Sequence, residues 1–224
     1  MSPIDVGVET TRRRRSTSRL LLSRGEAFAG LAFVVLFLVS VPVSSAPSDD
    51  APDAKWVAAY TGHAKQIGHL ATGLLLVFAA IAFLAFLTGI WRRISAADPD
   101  RAASPFPILA AVVAAASIAA GGVTIGTVSA TELLKKYPVP SASVLRLTND
   151  LGFGLVGVAG MLAAAAAVAG LSVQAERRGL IDAKIRNFGI IVAVLLLAAM
   201  LFIPIIALLI WVAFLSVRSL RAVR

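Results

Sequence analysis

The 30 residues from Phe188 to Val217 contain no Asp, Glu, Lys or Arg. A run of that length cannot lie on the surface of a water-soluble domain, and it is not alone. Ala27–Val43, Ile67–Ile90, Ile108–Ala130 and Leu151–Val173 are also free of those four residues. A helix needs about 20 apolar residues to cross the ~30 Å hydrocarbon core of a bilayer. Backbone polar groups in lipid must be satisfied internally, so each block reads as a helix. Composition agrees: 58% of residues are hydrophobic and only 15% charged, where soluble chains carry about 25% charged residues. The fold class expected is all-α, an integral membrane helical bundle.

The last block decides how many helices. As one straight helix, Phe188–Val217 would reach ~45 Å, although tilt could absorb part of the excess. Pro204 cannot donate to a preceding carbonyl and favours a break. Two arms, 181–201 and 204–220, then span if Lys184, Arg186 and Arg218 extend their heads to the headgroups. Charge bias favours this division. With six spans and a cytoplasmic N-terminus, 16 Lys and Arg lie inside and five outside; with five spans the split is 13 to eight. Cytoplasmic loops carry the excess of basic residues, so six spans are expected (27–43, 67–90, 108–130, 151–173, 181–201 and 204–220), with five as the alternative. Both chain ends would then be cytoplasmic, in the plasma membrane. Residues 1–24 read as a basic, disordered tail and 25–220 as the bundle. A cleaved signal peptide is the competing reading of the first block, but 17 residues exceed the usual ~7–15-residue signal core.

The net charge of +9 sits in clusters beside the apolar blocks: Arg12–Arg15, Arg92 and Arg93, Arg177 and Arg178, Arg218 and Arg221. That distribution suits anionic lipid headgroups and not nucleic acid. The expected partners are the bilayer, those headgroups, and either a second copy of the chain or another membrane protein. Around the second span, Trp56, Tyr60 and Ile67 recur at spacings of four and seven, one helix face, and read as an interfacial aromatic belt. Asn149 or Asp150 is placed to cap the fourth span. Glu26 suits the positive end of the first helix dipole.

Chemistry is sparse. The absence of cysteine excludes disulfides, iron–sulfur clusters and cysteine nucleophiles. His63 and His69 are the only histidines; six residues apart, they lie ~240° apart around a helix and share no face. Asp49, Asp50 and Asp53 could join His63 in a loose cation site, the plainer reading being a solvated loop. No nucleotide-binding loop, nucleophile elbow or HExxH occurs, so neither an enzyme nor a bound cofactor is expected. Gly122-Val-Thr-Ile-Gly126 is a GxxxG, extended to Ala130, and small residues let helices in lipid approach closely. Gly160 and Ala164 offer a matching surface on the fourth span, giving an intramolecular seam between the third and fourth spans. A dimer seam or a ligand groove is the alternative use.

The basic N-terminus and first helix, Asp53-Ala-Lys-Trp-Val-Ala-Ala-Tyr60, Ile90-Trp-Arg-Arg93, Glu176-Arg-Arg-Gly-Leu180, and Pro204 followed by Leu209-Ile-Trp-Val212 form a pattern. It resembles small multi-pass membrane proteins of unknown function in actinobacteria, of the domain of unknown function 4386 type. The resemblance implies six helices and no activity. The function expected is that of a non-enzymatic scaffold or accessory subunit; the alternative is a transporter or binder of a neutral, lipid-like molecule in a groove lined by His69, Thr124 and Thr127. A hollow bundle favours the second, a filled one the first.

Overall fold

The computed structural model describes residues 20, 22–43, 46–48, 50–99, 102–198 and 203–222. The expected basic tail therefore lies almost wholly outside the described residues. Within them the elements are α1 (Arg24–Val43), α2 (Asp53–Tyr60), α3 (His63–Ala97), α4 (Phe106–Lys135), α5 (Ala142–Gly154), a π-helical segment (Leu155–Gly160), α6 (Met161–Arg177), α7 (Ala183–Leu196) and α8 (Ile203–Ala222). The segments from α5 to α6 run on as one helix, Ala142–Arg177.

Local chemistry sets the boundaries. Ser23 and Glu26 form a reciprocal capping box at the start of α1: the Ser23 amide donates to Glu26 Oε2 at 2.8 Å, and the Glu26 amide donates to Ser23 Oγ at 3.3 Å. Pro107 sits in the first turn of α4, where a missing N–H costs nothing. Gly179, with φ +69°, ends α6: its amide donates to the Glu176 carbonyl and that of Leu180 to the Ala175 carbonyl, a Schellman cap. Asp182 Oδ1 then accepts from the Ile185 amide at 2.9 Å and starts α7.

The helices pack in a closed ring, α1–α3–α4–α5/α6–α7–α8, with α8 returning to α1. The last block is a hairpin. The rings of Phe188 and Phe214 meet edge-to-face with centroids 5.9 Å apart, whereas one straight helix would hold them ~39 Å apart. Residues 199–202, between α7 and α8, lie outside the described residues.

Chain direction alternates around the ring. At one end, here the basic end, the Leu20 amide donates to the Leu180 carbonyl at 2.8 Å and that of Leu22 to Ser219 Oγ at 3.3 Å. Arg178 donates to the carbonyls of Ile94 and Asp98 at 2.6 and 3.2 Å. Glu26 faces Arg92 and Arg93 at 3.7 and 3.8 Å. At the opposite end, the α2 end, Arg146 binds Asp53 at 2.7 Å and Gln66 binds Glu132 at 2.6 Å.

Among the described residues, five helices are long and apolar enough to cross a membrane: α1, α3, α4, the continuous α5–α6 helix and α8. α7, at 14 residues, measures ~21 Å. Large apolar side chains face outward on each, such as Phe28 and Val35 on α1, Phe78 and Ile81 on α3, Ile191 and Val194 on α7, and Ile206 and Ile210 on α8. An exposed apolar surface of this extent marks contact with lipid, and the molecule is a membrane-embedded helical bundle.

Small residues set the closest approaches, with partners other than those expected. A Cβ on Gly122 would lie 2.7 Å from the Gly73 carbonyl oxygen, and one on Gly73 would lie 2.5 Å from that of Gly122. Gly126 sits beside Gly73 as well. The GxxxG therefore closes against the second span, α3, and not the fourth. The fourth span uses the next face of α4: Gly121 meets Gly152 and Val156, and Gly160 meets Ile118. Ala164 is fully buried, and Ala130 partly.

Candidate functional site

The ring is filled at one end and hollow at the other. Toward the basic end, Phe33 meets Phe83 at a tilt with centroids 4.6 Å apart, and Phe86 meets Trp211 edge-to-face at 6.1 Å. The void beside Trp211 is about 10 Å³, no more than the ~10–15 Å³ that a single water needs. At the α2 end a cavity of about 420 Å³ opens among α1, α3, α4, α5 and α8. That lies within the ~300–1,000 Å³ range of small-molecule sites.

Its walls change character with depth. Phe37, Leu76, Ile125, Val156 and Ile205 give an apolar lining, and Leu76 lies ~20 Å along α3 from His63. Ser40, Thr72, Asn149 and Asp150 supply the polar part. Two of these are already engaged: Ser40 Oγ donates to the Phe37 carbonyl at 2.7 Å, and Thr72 Oγ1 donates to the Ser40 carbonyl at 3.5 Å. Asn149 differs. It is 6% exposed, and its buried Oδ1 has no hydrogen-bond partner. An unsatisfied buried acceptor of this kind costs about 1–3 kcal/mol.

Asn149 reaches the cavity because the fourth span begins earlier than expected. α5 starts at Ala142, so Asn149 and Asp150 lie inside the helix and cap nothing. Ala142, Leu145, Asn149 and Gly152 form its buried face at three- and four-residue spacing. One turn on, the π-helical segment begins, and Val156 within it lines the cavity. Inserted π turns of this kind recur at functional sites.

Beside the cavity, α2 lies over α4 and α5. Trp56, Ala59 and Tyr60 pack with Val128, Ala142 and Leu145. The expected aromatic belt is thus not on one helix. Gly62, with φ +101°, separates α2 from α3, so Trp56 and Tyr60 are buried while Ile67 is exposed. Arg146 holds α2 down: it binds Asp53, donates to the Ala51 carbonyl at 2.7 Å, and stands 5.6 Å from the Trp56 ring centre. Asp53 is therefore engaged with Arg146, His63 is exposed, and Asp49 lies outside the described residues.

Under α2 is a buried polar cluster. The Tyr60 and His69 rings stack in parallel, 4.2 Å apart, and His69 hydrogen-bonds the Ala59 backbone. Gln66 Nε2 donates to Glu132 Oε2 at 2.6 Å and to the Tyr60 carbonyl at 3.3 Å. Burial, with a smaller contribution from the Glu132 charge, pushes the Tyr60 phenol up to about 12, so it stays protonated across the physiological range.

The residues expected to line a groove are dispersed. His69 belongs to the cluster under α2. Thr124 and Thr127 each return their hydroxyls to their own helix, to the carbonyls of Ala120 and Val123 at 2.8 and 2.6 Å. None of the three lines the cavity. Comparison of the chain with protein-family models, with curated proteins and with solved structures finds no match.

Proposed function

We propose that this protein is a non-enzymatic binding protein or carrier for a neutral, lipid-like small molecule, held in the cavity at the α2 end. The observation that carries this reading is the cavity itself, apolar at depth and polar at its rim, and formed between five helices of the bundle. A scaffold would keep its small-residue faces available for partners. Here Gly73, Gly122 and Gly126 are used within the chain, which favours the binder over the scaffold.

The reading sets the protein in the plasma membrane with six spans and both chain ends cytoplasmic. Arg92, Arg93, Arg177, Arg178, Lys184, Arg186, Arg218 and Arg221 gather at one end of the bundle, which the positive-inside bias assigns to the cytoplasm. The outward apolar face of α7 and its antiparallel pairing with α8 support counting it as the sixth span. The basic end meets anionic headgroups, and the cavity opens toward the outer leaflet. Membership of the actinobacterial family that the sequence resembles fits this architecture.

A photoactivatable long-chain alcohol tests the proposal. In purified protein it is expected to label the α1 and α5 segments at 37–47 and 149–156. Filling the cavity with Leu76→Trp and Val156→Phe should reduce that labelling to the level of the lipid-facing helix surfaces. Labelling confined to lipid-facing surfaces, indifferent to the substitutions, would refute it.

A further inference from the structure

We infer that the outer seam of α7 and α8 at the basic end is a binding site for an anionic phospholipid. Its phosphate sits at Arg218, Arg221 and Lys184, and one acyl chain lies along Ile210, Phe214 and Val217. Neither the cavity at the α2 end nor the direction of threading enters this inference.

Helix register brings these residues together. Phe188 of α7 meets Phe214 of α8, Gly189 lies beside Trp211, and Ile185 and Leu215 border one small void. Those three pairs make the helices antiparallel. Lys184, one turn before Phe188, therefore stands level with Arg218, one turn after Phe214. Among the described residues, Ile210, Ala213, Phe214, Val217, Arg218 and Arg221 line a groove along α8. They recur at three- and four-residue spacing, one stripe of the helix. From Ile210 to Arg221 the stripe runs ~16 Å, and one leaflet supplies half of the ~30 Å hydrocarbon core. Cations at headgroup level above an apolar groove reaching toward the midplane match the shape of a phospholipid.

Charge selects which phospholipid. Lys184, Arg218 and Arg221 form no ion pair among the described residues, whereas Arg92 and Arg93 face Glu26 and Arg186 faces Glu176 at 3.7 Å. The acidic groups flanking the start of α7 are taken up: Glu176 by Arg186, and Asp182 by the Ile185 amide. A phosphate diester supplies the complementary charge, and the arginine fork matches two of its oxygens. Basic pockets between membrane helices bind such headgroups. A second copy related by a two-fold axis would bring Arg218 and Arg221 against like charges. Residues 1–19 carry five Arg against one Asp and one Glu, again the wrong sign. The anionic lipid is the occupant that suits both stripe and charge.

Native mass spectrometry of the purified protein in mild detergent tests this, with phosphatidylglycerol and phosphatidylcholine of identical chains added in equal amounts. Phosphatidylglycerol is expected to be retained about tenfold over phosphatidylcholine. Arg218→Gln combined with Arg221→Gln should reduce that preference to about twofold or less. Arg92→Gln combined with Arg177→Gln removes as much charge from exposed positions of the same end and should leave it unchanged. Inorganic phosphate should not displace the lipid. Equal retention of the two lipids by the unaltered protein, or an equal loss of preference in both double variants, would overturn the site. Displacement by inorganic phosphate would leave an anion site and overturn the lipid. Failure of the alcohol to label the cavity would bear on the cavity alone.

Discussion

Trp211→Ala is expected to be the most destabilising single substitution in the bundle, by about 3–5 kcal/mol and toward the lower figure. Trp211 is 2% exposed and sits where three helices meet: its ring abuts Phe86 of α3, and its indole nitrogen lies 3.3 Å from where a Cβ on Gly189 of α7 would stand. Because separated helices rest in lipid, little of the cost is transfer from water. It comes from the dispersion attraction forfeited around a void that a packed interior cannot refill. A loss of that size corresponds to roughly 6–12 °C in melting temperature in mild detergent. Phe78→Ala, on a residue facing outward from α3, should change stability by less than about 0.5 kcal/mol. Equal shifts from the two would mean that the basic end is not packed as described.

Gly122→Leu should rank next, at about 1–3 kcal/mol. The new side chain would meet the Gly73 carbonyl oxygen and Leu76 Cβ at 2.7 and 2.8 Å. One of these is backbone, so α3 and α4 must separate along the seam. Gly73→Ala should act in the same direction from the other side. Gly154→Ala provides the contrast, since a Cβ there has nothing within 4 Å and replacing a helical glycine by alanine gains about 0.5–1 kcal/mol. The pattern expected in thermal melts is two losses and one small gain, with the oligomeric state unchanged throughout. A changed oligomeric state with unchanged melting would move the seam to the surface between copies.

The positions of the helices are legible in the sequence because lipid leaves the backbone little choice. Blocks such as Ile67–Ile90 and Ile108–Ala130 fall inside α3 and α4, and the break near Pro204 returns α8 against α7. Partner choice is not legible. Gly121 and Gly122 are adjacent in sequence but ~100° apart around α4, so each serves a different neighbour, and no spacing rule says which. The start of the fourth span escapes the sequence for a related reason. Ser143, Arg146 and Asn149 dilute the hydropathy, yet Ala142, Leu145 and Gly152 keep a buried stripe. That early start hides Asn149, which reads as a cap in sequence and stands in a cavity wall in the fold. The only signal available is the three- and four-residue spacing of that stripe.

Threading of the chain is tested most directly by cysteine labelling, which the absence of native cysteine makes clean. Single variants Ala96→Cys, Ala183→Cys and Ala222→Cys lie at exposed positions of the basic end, and Ala54→Cys and Ser143→Cys at exposed positions of the α2 end. With a membrane-impermeant maleimide on sealed vesicles of known orientation, the first three should react from the cytoplasmic side and the last two from the opposite side. Reaction of Ala222→Cys from the same side as Ala54→Cys would contradict an even number of crossings.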